Sequence, residues 1–246
     1  SGQLGDGTTT QRSSPVAVTG GALAGHTAIA IAAGDDHTCA VLDDGSVACW
    51  GAAAYGAIGN GKFDFPWQPP GGYWPPYDEL LPVLATGGAL TGHTAVAIAA
   101  GGQSTCAILD NGKLACWGYN SAGQLGNGAT ALYWGSYSAV PGAVNGGAMA
   151  GRSATAVSLG RGHTCALLDD GSIACWGYNG TGQLGDGTNT DSSIPVAVAV
   201  STFGTSTSSD CTLRLHLPGS TLTLPPSRPN TSTPRSNMPT TPSSET

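Results

Sequence analysis

One segment, repeated three times, constrains the fold of this chain more than any other feature. The copies read GDDHTCAVLDDGSVACWG from Gly34, GGQSTCAILDNGKLACWG from Gly101 and GRGHTCALLDDGSIACWG from Gly160. An alternating run of small and apolar residues precedes each copy, and a glycine-framed motif such as GQLGNG, from Gly123, follows it. Self-similarity of this kind indicates near-identical structural units that bury their apolar surfaces against one another.

Each unit has room for about four short strands, which is typical of the blades of a β-propeller. The strands predicted in the third unit span residues 154–159, 163–168, 172–176 and 194–200. Insertions at residues 62–82 and 129–137 lengthen the first two units beyond the ~40–50 residues of common blades. The 3.6-residue periodicity that helical repeats require is missing from the sequence. We therefore predict an all-β chain of propeller blades, each with about four antiparallel strands.

The ends of the chain differ from its repeats. A GQLGDG motif at Gly2 lies where a repeat would be half complete, so we expect an incomplete propeller fragment with three complete blades and a partial one. Unpaired blade edges favour self-association through open propeller edges. Residues 201–246 are rich in Ser, Thr and Pro and cannot bury enough apolar surface to fold. The predicted domains are propeller repeats over residues 1–200 and a disordered tail over residues 201–246.

Composition excludes two classes of partner. Charged residues make up 9% of the chain and the formal net charge is −7. Binding to a nucleic acid requires clustered Lys and Arg, so we expect no nucleic-acid partner. No apolar run approaches the ~20 residues that span a bilayer, so we expect no membrane insertion.

The central hairpin of each repeat places two cysteines opposite each other. If the loop 43–45 is a three-residue turn with Gly45 in the left-handed third position, Cys39 pairs directly with Cys49 at a non-hydrogen-bonded site. We therefore predict the disulfides Cys39–Cys49, Cys106–Cys116 and Cys165–Cys175, the alternative being buried free thiols. Stable disulfides are typical of oxidising compartments and predict an extracellular or secreted protein, with a cytoplasmic or nuclear one as the alternative. Cys211, in the tail, is left over.

The string HTCALLDDGSIACWGYNGTGQLGDGT, from His163, resembles a repeat of the regulator of chromosome condensation family. The resemblance extends from Ser1 to about Val200 and implies a β-propeller fold. It also implies relatives with different functions: a nuclear guanine-nucleotide exchange factor, a plant photoreceptor, a bacterial enzyme inhibitor and plant receptor-kinase ectodomains. The paired-cysteine CWG form is most similar to the extracellular and bacterial members. The first unit departs from the pattern at Ala53-Ala54-Tyr55, and the second has Ser104 where the others have histidine.

Residues that resemble catalytic or metal sites have simpler structural roles. The His-x-Cys spacing at His37 and His163 is broken in the second unit by Ser104, and the cysteines already have partners. The paired acids Asp43-Asp44 are common turn formers. The GQLGDG motif lacks the Lys-[Ser/Thr] of a phosphate-binding loop. We therefore expect a chain that is not an enzyme and that has no catalytic residue, no metal and no cofactor.

The two insertions are the distinctive part of the chain. They interleave aromatic residues with prolines, and rigid aromatic side chains provide much of the binding energy of interfaces. The predicted partner-binding residues are Phe65, Trp67, Tyr73, Trp74, Tyr77 and Trp134. The alternative is that these rings pack onto the propeller. We predict a non-catalytic interaction module that binds a protein or, alternatively, a glycan. The competing hypothesis, by family analogy, is a guanine-nucleotide exchange factor or related intracellular regulator.

Overall fold

The computed structural model describes residues 1–62, 78–129 and 137–199. The chain divides into two units, Ser1–Ser201 and Thr202–Thr246, and the second lies outside the described residues. Within those residues, strands form three four-stranded antiparallel sheets, in each of which neighbours in the sheet are neighbours in sequence. Each sheet is one blade, so the prediction of an all-β fold made of propeller blades is confirmed.

The strand bounds repeat closely from blade to blade. Blade 1 contains β1 (Ala28–Ala33), β2 (His37–Leu42), β3 (Val47–Gly51) and β4 (Glu79–Leu84). Blade 2 contains β5 (Ala95–Gly101), β6 (Ser104–Leu109), β7 (Leu114–Tyr119) and β8 (Tyr137–Ala143). Blade 3 contains β9 (Ala154–Leu159), β10 (His163–Leu168), β11 (Ile173–Gly177) and β12 (Ser192–Ala197). A 3-10 turn precedes the first strand of each blade, at Gly21–Leu23, Gly88–Leu90 and Gly147–Met149.

The central hairpin has the register that the sequence predicts. Cys39 lies opposite Cys49 between β2 and β3, and Gly45 has the positive φ of 78° that the third turn position requires. The two cysteines form a disulfide with their Cα atoms 4.1 Å apart. The other two hairpins have the same register and the same disulfide. A single hairpin design is therefore used in all three blades.

The hydrophobic core lies between blades, because the facing sides of neighbouring sheets bury their apolar residues against each other. We call the face that meets the following blade the front face, and the one that meets the preceding blade the back face. Val41 and Val47, on the front face of blade 1, pack with Leu109 and Trp117 on the back face of blade 2. A second cluster joins blades 2 and 3 in the same way. Each blade therefore depends on its neighbours for burial.

A hydrogen-bonded tryptophan fixes each blade to the glycine-framed motif that precedes it. The carbonyl oxygen at the second position of the motif accepts a hydrogen bond from the indole Nε1 of the next blade. The Nε1–O distances are 2.8 Å for Trp50 to Gln3, 2.9 Å for Trp117 to Ala57 and 2.9 Å for Trp176 to Gln124. A threonine hydroxyl of the same blade donates to the same oxygen, as Thr164 does to Gln124 at 2.9 Å.

The glycines of the motif permit this close approach. A Cβ atom placed on Gly59 would lie 2.7 Å from Nε1 of Trp117, and one on Gly126 would lie 2.6 Å from Nε1 of Trp176. Any side chain at these positions would displace the indole from its hydrogen-bonded position. Steric necessity at the blade interface therefore explains the repeated glycine.

His37 makes a further link between blades 1 and 2. Its ring is buried, and Nε2 lies 2.7 Å from Oγ1 of Thr105. Burial lowers the pKa of His37 to about 4, despite the opposing charges of Asp35 and Asp36. In blade 2 the same position is Ser104, which donates instead to the backbone oxygen of Tyr119 in its own blade. Among the described residues, the histidine contact therefore joins blade 1 to blade 2, and the equivalent residue of blade 2 makes no such contact to blade 3.

We expect the three disulfides to account for a measurable part of the stability. Each joins cysteines separated by 10 residues, and loops of this size contribute about 2–3 kcal/mol or less per bridge. Reduction should therefore lower the urea midpoint, and Cys106→Ala/Cys116→Ala should show about a third of that loss.

Mass spectrometry of unreduced peptides should find linkages within hairpins; linkages between blades would contradict this register.

We expect His37 to make the protein less stable in mild acid. The unfolded side chain titrates near the ordinary pKa of 6.5 and the folded one at about 4. Between these values the unfolded state binds more protons, so stability falls as pH decreases through this range, by about 3 kcal/mol in total. His37→Gln keeps a donor for Thr105 but cannot be protonated, so its urea midpoint should change less between pH 6.5 and 4.

His163→Gln is the matched control, because His163 occupies the same position in blade 3. It should retain the pH dependence of the wild type. An unchanged pH profile in His37→Gln would show that His37 is not the titrating group.

Candidate interaction surfaces

The six aromatic residues predicted to bind a partner lie outside the described residues, at positions 63–77 and 130–136. They are Phe65, Trp67, Tyr73, Trp74, Tyr77 and Trp134. The structure does describe the points at which both insertions leave the blades. Each insertion lies between the glycine-framed motif and the last strand of its blade, whereas residues 188–191 make this connection directly in blade 3.

The stems of the two insertions are adjacent. The backbone N–H of Gly61, just before the first insertion, donates to the carbonyl of Ala139, just after the second, at 2.9 Å. Glu79 closes the neck of the first insertion by accepting hydrogen bonds from Asn60 at 2.9 Å and Lys62 at 3.2 Å. The two insertions therefore leave from one edge of neighbouring blades, which we call the insertion rim.

A group of partly exposed tyrosines lies at the insertion rim. The rings of Tyr55 and Tyr119 have centroids 4.6 Å apart, and Tyr137 lies opposite Tyr119 in the β7–β8 ladder. Tyr55 has a positive φ of 53°, which is uncommon for a bulky residue. Tyr55 departs from the repeat pattern, but the sequence does not predict that the three tyrosines lie together. The sequence signal for it is that Tyr55 and Tyr137 have no tyrosine equivalent in blade 3, the blade without an insertion.

A second candidate surface is the front face of blade 3. Leu167 is 42% exposed and Ile173 is 46% exposed, whereas the equivalent Val41 and Val47 of blade 1 are 0% and 2% exposed. The strands are the same, so the difference arises because the described residues include no blade in front of blade 3. The back face of blade 1 is open at Ile31, which is 68% exposed, whereas Leu42 and Trp50 on the same face are buried.

A third candidate is a cluster of His26, Asp43 and Asp44, whose ligand-type atoms lie within 4.8 Å of one another on the surface. The hydrogen bond from His26 Nδ1 to Asp43, at 2.8 Å, raises the pKa of His26 and lowers that of Asp43. His93 and Asp110 repeat this bond in blade 2 at 2.8 Å.

Blade 3 shows what this cluster does. At the position of His26 it has Arg152, whose guanidinium lies 2.7 Å from Asp170. Arginine does not ligate metals, so the shared property of the three sites is a bond between the entry loop and the hairpin turn. The cluster is therefore explained as a structural contact.

None of the helices in the described residues has the length and apolar character needed to cross a membrane.

Comparisons with known proteins agree with this architecture. The Regulator of chromosome condensation (RCC1) repeat matches residues 28–57, 95–124 and 154–183 in one form, and residues 1–41, 111–167 and 170–211 in another. Together, the ranges of the second form cover more than half of the chain.

Individual relatives match over most of this chain but over less than half of their own length. The Ultraviolet-B receptor UVR8 of Arabidopsis thaliana is 34% identical over 80% of this chain and 40% of the receptor. The E3 ubiquitin-protein ligase HERC2 of Homo sapiens is 31% identical over 72% of this chain and 3% of the ligase.

The crystal structure of Prp20p from Saccharomyces cerevisiae superposes with a TM-score of 0.58 over 71% of this chain and 39% of that one. At 19% identity, this likeness concerns the fold. Repeat match, blade architecture and relatives lead to one assignment: the chain belongs to the RCC1 repeat family.

Proposed function

We propose that this chain is a non-catalytic interaction module of an extracellular or secreted protein, and that it binds a protein partner at the insertion rim. The observation that carries the proposal is the hydrogen bond between Gly61 and Ala139, because it brings the stems of both aromatic insertions together. Loops placed on a rigid scaffold are the usual location of binding residues.

The composition of the rim supports binding to a protein. The insertions contribute the six aromatic residues named above, and the blades contribute the tyrosines Tyr55, Tyr119 and Tyr137. Large aromatic rings dominate the binding energy of protein interfaces because they bury much area at little entropic cost. The repeated strands are nearly identical, so selectivity for a partner has to come from the segments that are not repeated.

The disulfides and the relatives support the remaining parts of the proposal. Six cysteines paired in three hairpins favour an oxidising compartment. The structure of Prp20p was described together with its binding properties to Gsp1p and histones, so a propeller of this fold can serve as a protein-binding surface. An intracellular exchange factor, the competing hypothesis, predicts reduced thiols instead.

We expect Trp67→Ala/Trp74→Ala to fold normally and to lose partner binding, since removing two interface rings costs several kcal/mol. The immobilised protein is exposed to extracellular fluid of the source organism, and bound proteins are cross-linked and identified. Cross-links should map to the insertion rim, and bound proteins should be depleted at least tenfold with the double variant. Pretreatment with glycosidases separates recognition of a glycan from recognition of a polypeptide.

Ile29→Ala/Val96→Ala is the matched control, because both residues are exposed apolar residues outside the rim. It should bind as the wild type does. A Trp67→Ala/Trp74→Ala variant that unfolds would place the rings in the core, and one that binds normally would place the site elsewhere. Free thiols in the native protein would favour the intracellular hypothesis.

A further inference from the structure

The sequence contains two copies of the Asn-x-Ser/Thr triplet that is the acceptor for N-glycosylation, at Asn179 and Asn230. Asn179 lies in blade 3, whereas Asn230 lies outside the described residues. We infer that attachment of a glycan to Asn179 and closure of blade 3 exclude each other, and that the chain therefore matures on an export route that forms disulfides without attaching N-glycans. The second half of this inference rests on the proposed extracellular location, and the first half does not.

The side chain of Asn179 is completely buried. It lies between the end of β11 and the glycine-framed motif that begins at Gly182, and its exposed fraction is 0%. The equivalent Asn120 of blade 2 is 4% exposed, and the equivalent Ala53 of blade 1 is 0% exposed. The fold therefore encloses this position in all three blades, and in blade 1 it encloses nothing larger than a methyl group.

Both ends of the Asn179 amide are hydrogen-bonded. Oδ1 accepts a bond from the backbone N–H of Leu184, within the glycine-framed motif, at 2.9 Å. Nδ2 lies 3.2 Å from Oδ1 of Asp186. It also lies 3.0 Å from the backbone oxygen of Thr188 and 3.2 Å from that of Thr190. The amide thus joins the motif to the loop that leads into β12.

Blade 2 shows that this arrangement belongs to the repeat. Oδ1 of Asn120 accepts a bond from the backbone N–H of Leu125 at 2.9 Å, and Nδ2 donates to the backbone oxygen of Ala129 at 3.1 Å. The residue two positions after the asparagine is Ala122 in blade 2 and Thr181 in blade 3. The glycosylation triplet therefore occurs in blade 3 and not in blade 2, although the asparagine has the same structural role in both.

N-glycosylation changes the atom that makes these bonds. Nδ2 of the asparagine forms a bond to the anomeric carbon of a lipid-linked oligosaccharide and loses one of its two protons, and a lipid diphosphate leaves. The product keeps a single N–H and carries a sugar ring where Asp186 and the loop oxygens now lie. The buried oxygens then lose a donor, and a bulky glycan has to be accommodated at a position that the fold encloses. Blade 3 therefore cannot close around a glycosylated Asn179.

The order of the two reactions decides the outcome. Asn179 is inaccessible once blade 3 has formed, so a glycosyltransferase can modify it only in the unfolded chain. A transferase that meets the chain during export therefore produces molecules that cannot complete blade 3. Folding that comes first protects the asparagine.

The disulfides connect this conflict to the compartment. Three disulfide-bonded hairpins favour an oxidising compartment. The endoplasmic reticulum and the bacterial periplasm are both oxidising, but the first also glycosylates the Asn-x-Ser/Thr triplet of secreted chains. Export through the endoplasmic reticulum would lose every chain that is modified at Asn179, and export of the bacterial type would lose none. The second route is therefore the one that fits both observations.

The test uses Asn230→Gln, in which Asn179 keeps the one remaining triplet. The full chain is secreted from cultured animal cells behind an added signal peptide, and the medium and the cells are assayed separately. Peptide:N-glycosidase in heavy-oxygen water converts each glycosylated asparagine into a labelled aspartate, so mass spectrometry gives the occupancy in each pool. Protein in the medium should be unmodified at Asn179, and glycosylated protein should be retained and sensitive to protease.

Thr181→Ala/Asn230→Gln removes the triplet and keeps Asn179. Blade 2 already has Ala122 at this position, and both residues donate their backbone N–H to the glutamine two positions later, at 2.9 Å in blade 3 and 3.0 Å in blade 2. The variant should recover the secreted yield that its parent loses, in proportion to the occupancy of Asn179. From a bacterial periplasm, parent and variant should be obtained in equal amounts with all three disulfides.

Lys113→Thr, added to Thr181→Ala/Asn230→Gln, is the matched control for the glycan itself. It creates the same Asn-Gly-Thr triplet at Asn111, which is exposed in the hairpin turn of blade 2. This chain should be glycosylated at Asn111 and still be secreted. Trp67→Ala/Trp74→Ala should behave as its parent does, which separates this inference from binding at the insertion rim.

Four results would overturn the inference. Secreted, protease-resistant protein with a glycan on Asn179 would contradict the exclusion, and so would a Thr181→Ala variant whose yield stays as low as that of an occupied parent. Retention of the Lys113→Thr chain would show that the position of the glycan is irrelevant. An Asn179 that is unmodified in both pools would contradict the inferred route. Free thiols in the native protein would remove the extracellular location, and with it the route, but would leave the exclusion standing.

Discussion

The arrangement of the blades depends on one backbone oxygen in each glycine-framed motif. That oxygen accepts a hydrogen bond from an indole nitrogen and another from a threonine hydroxyl, both from the following blade. The bonds lie in a region from which water is excluded, where the loss of a partner is costly for a buried donor. They also attach the central hairpin in one blade to the loop motif of the blade before it. Apolar packing between the sheets then supplies most of the stabilisation.

The hairpin could be predicted in detail because its register follows from local chemistry. A three-residue turn that ends in Gly45 leaves one register open, and that register places Cys39 opposite Cys49. The threefold repetition removed the remaining ambiguity about the hairpin register, since a wrong register would have had to place two cysteines opposite each other in all three repeats. The number of strands per blade followed in the same way from the spacing of turn residues.

The contacts between blades were not predictable from the sequence in the same way. The link from His37 to Thr105 joins residues 68 positions apart, and the sequence shows only that one blade has serine at this place. The tilted contact between the rings of Tyr55 and Tyr119 likewise depends on how neighbouring sheets are placed. The exposure of Leu167 and Ile173 does not follow from their own strands, which are indistinguishable from buried ones; the sequence signal for it was the number of complete repeats.

The order of donor and acceptor along the chain has a consequence for protein synthesis. In every described pair the acceptor comes first: Gln3 precedes Trp50 by 47 residues, and Gln124 precedes Trp176 by 52. The ribosome therefore synthesises each acceptor motif before it synthesises the tryptophan that will bind to it. Each newly synthesised blade can therefore pack at once on the blade before it. Its apolar face is then covered soon after it leaves the exit tunnel. The fold can thus grow in the direction of translation, one blade at a time.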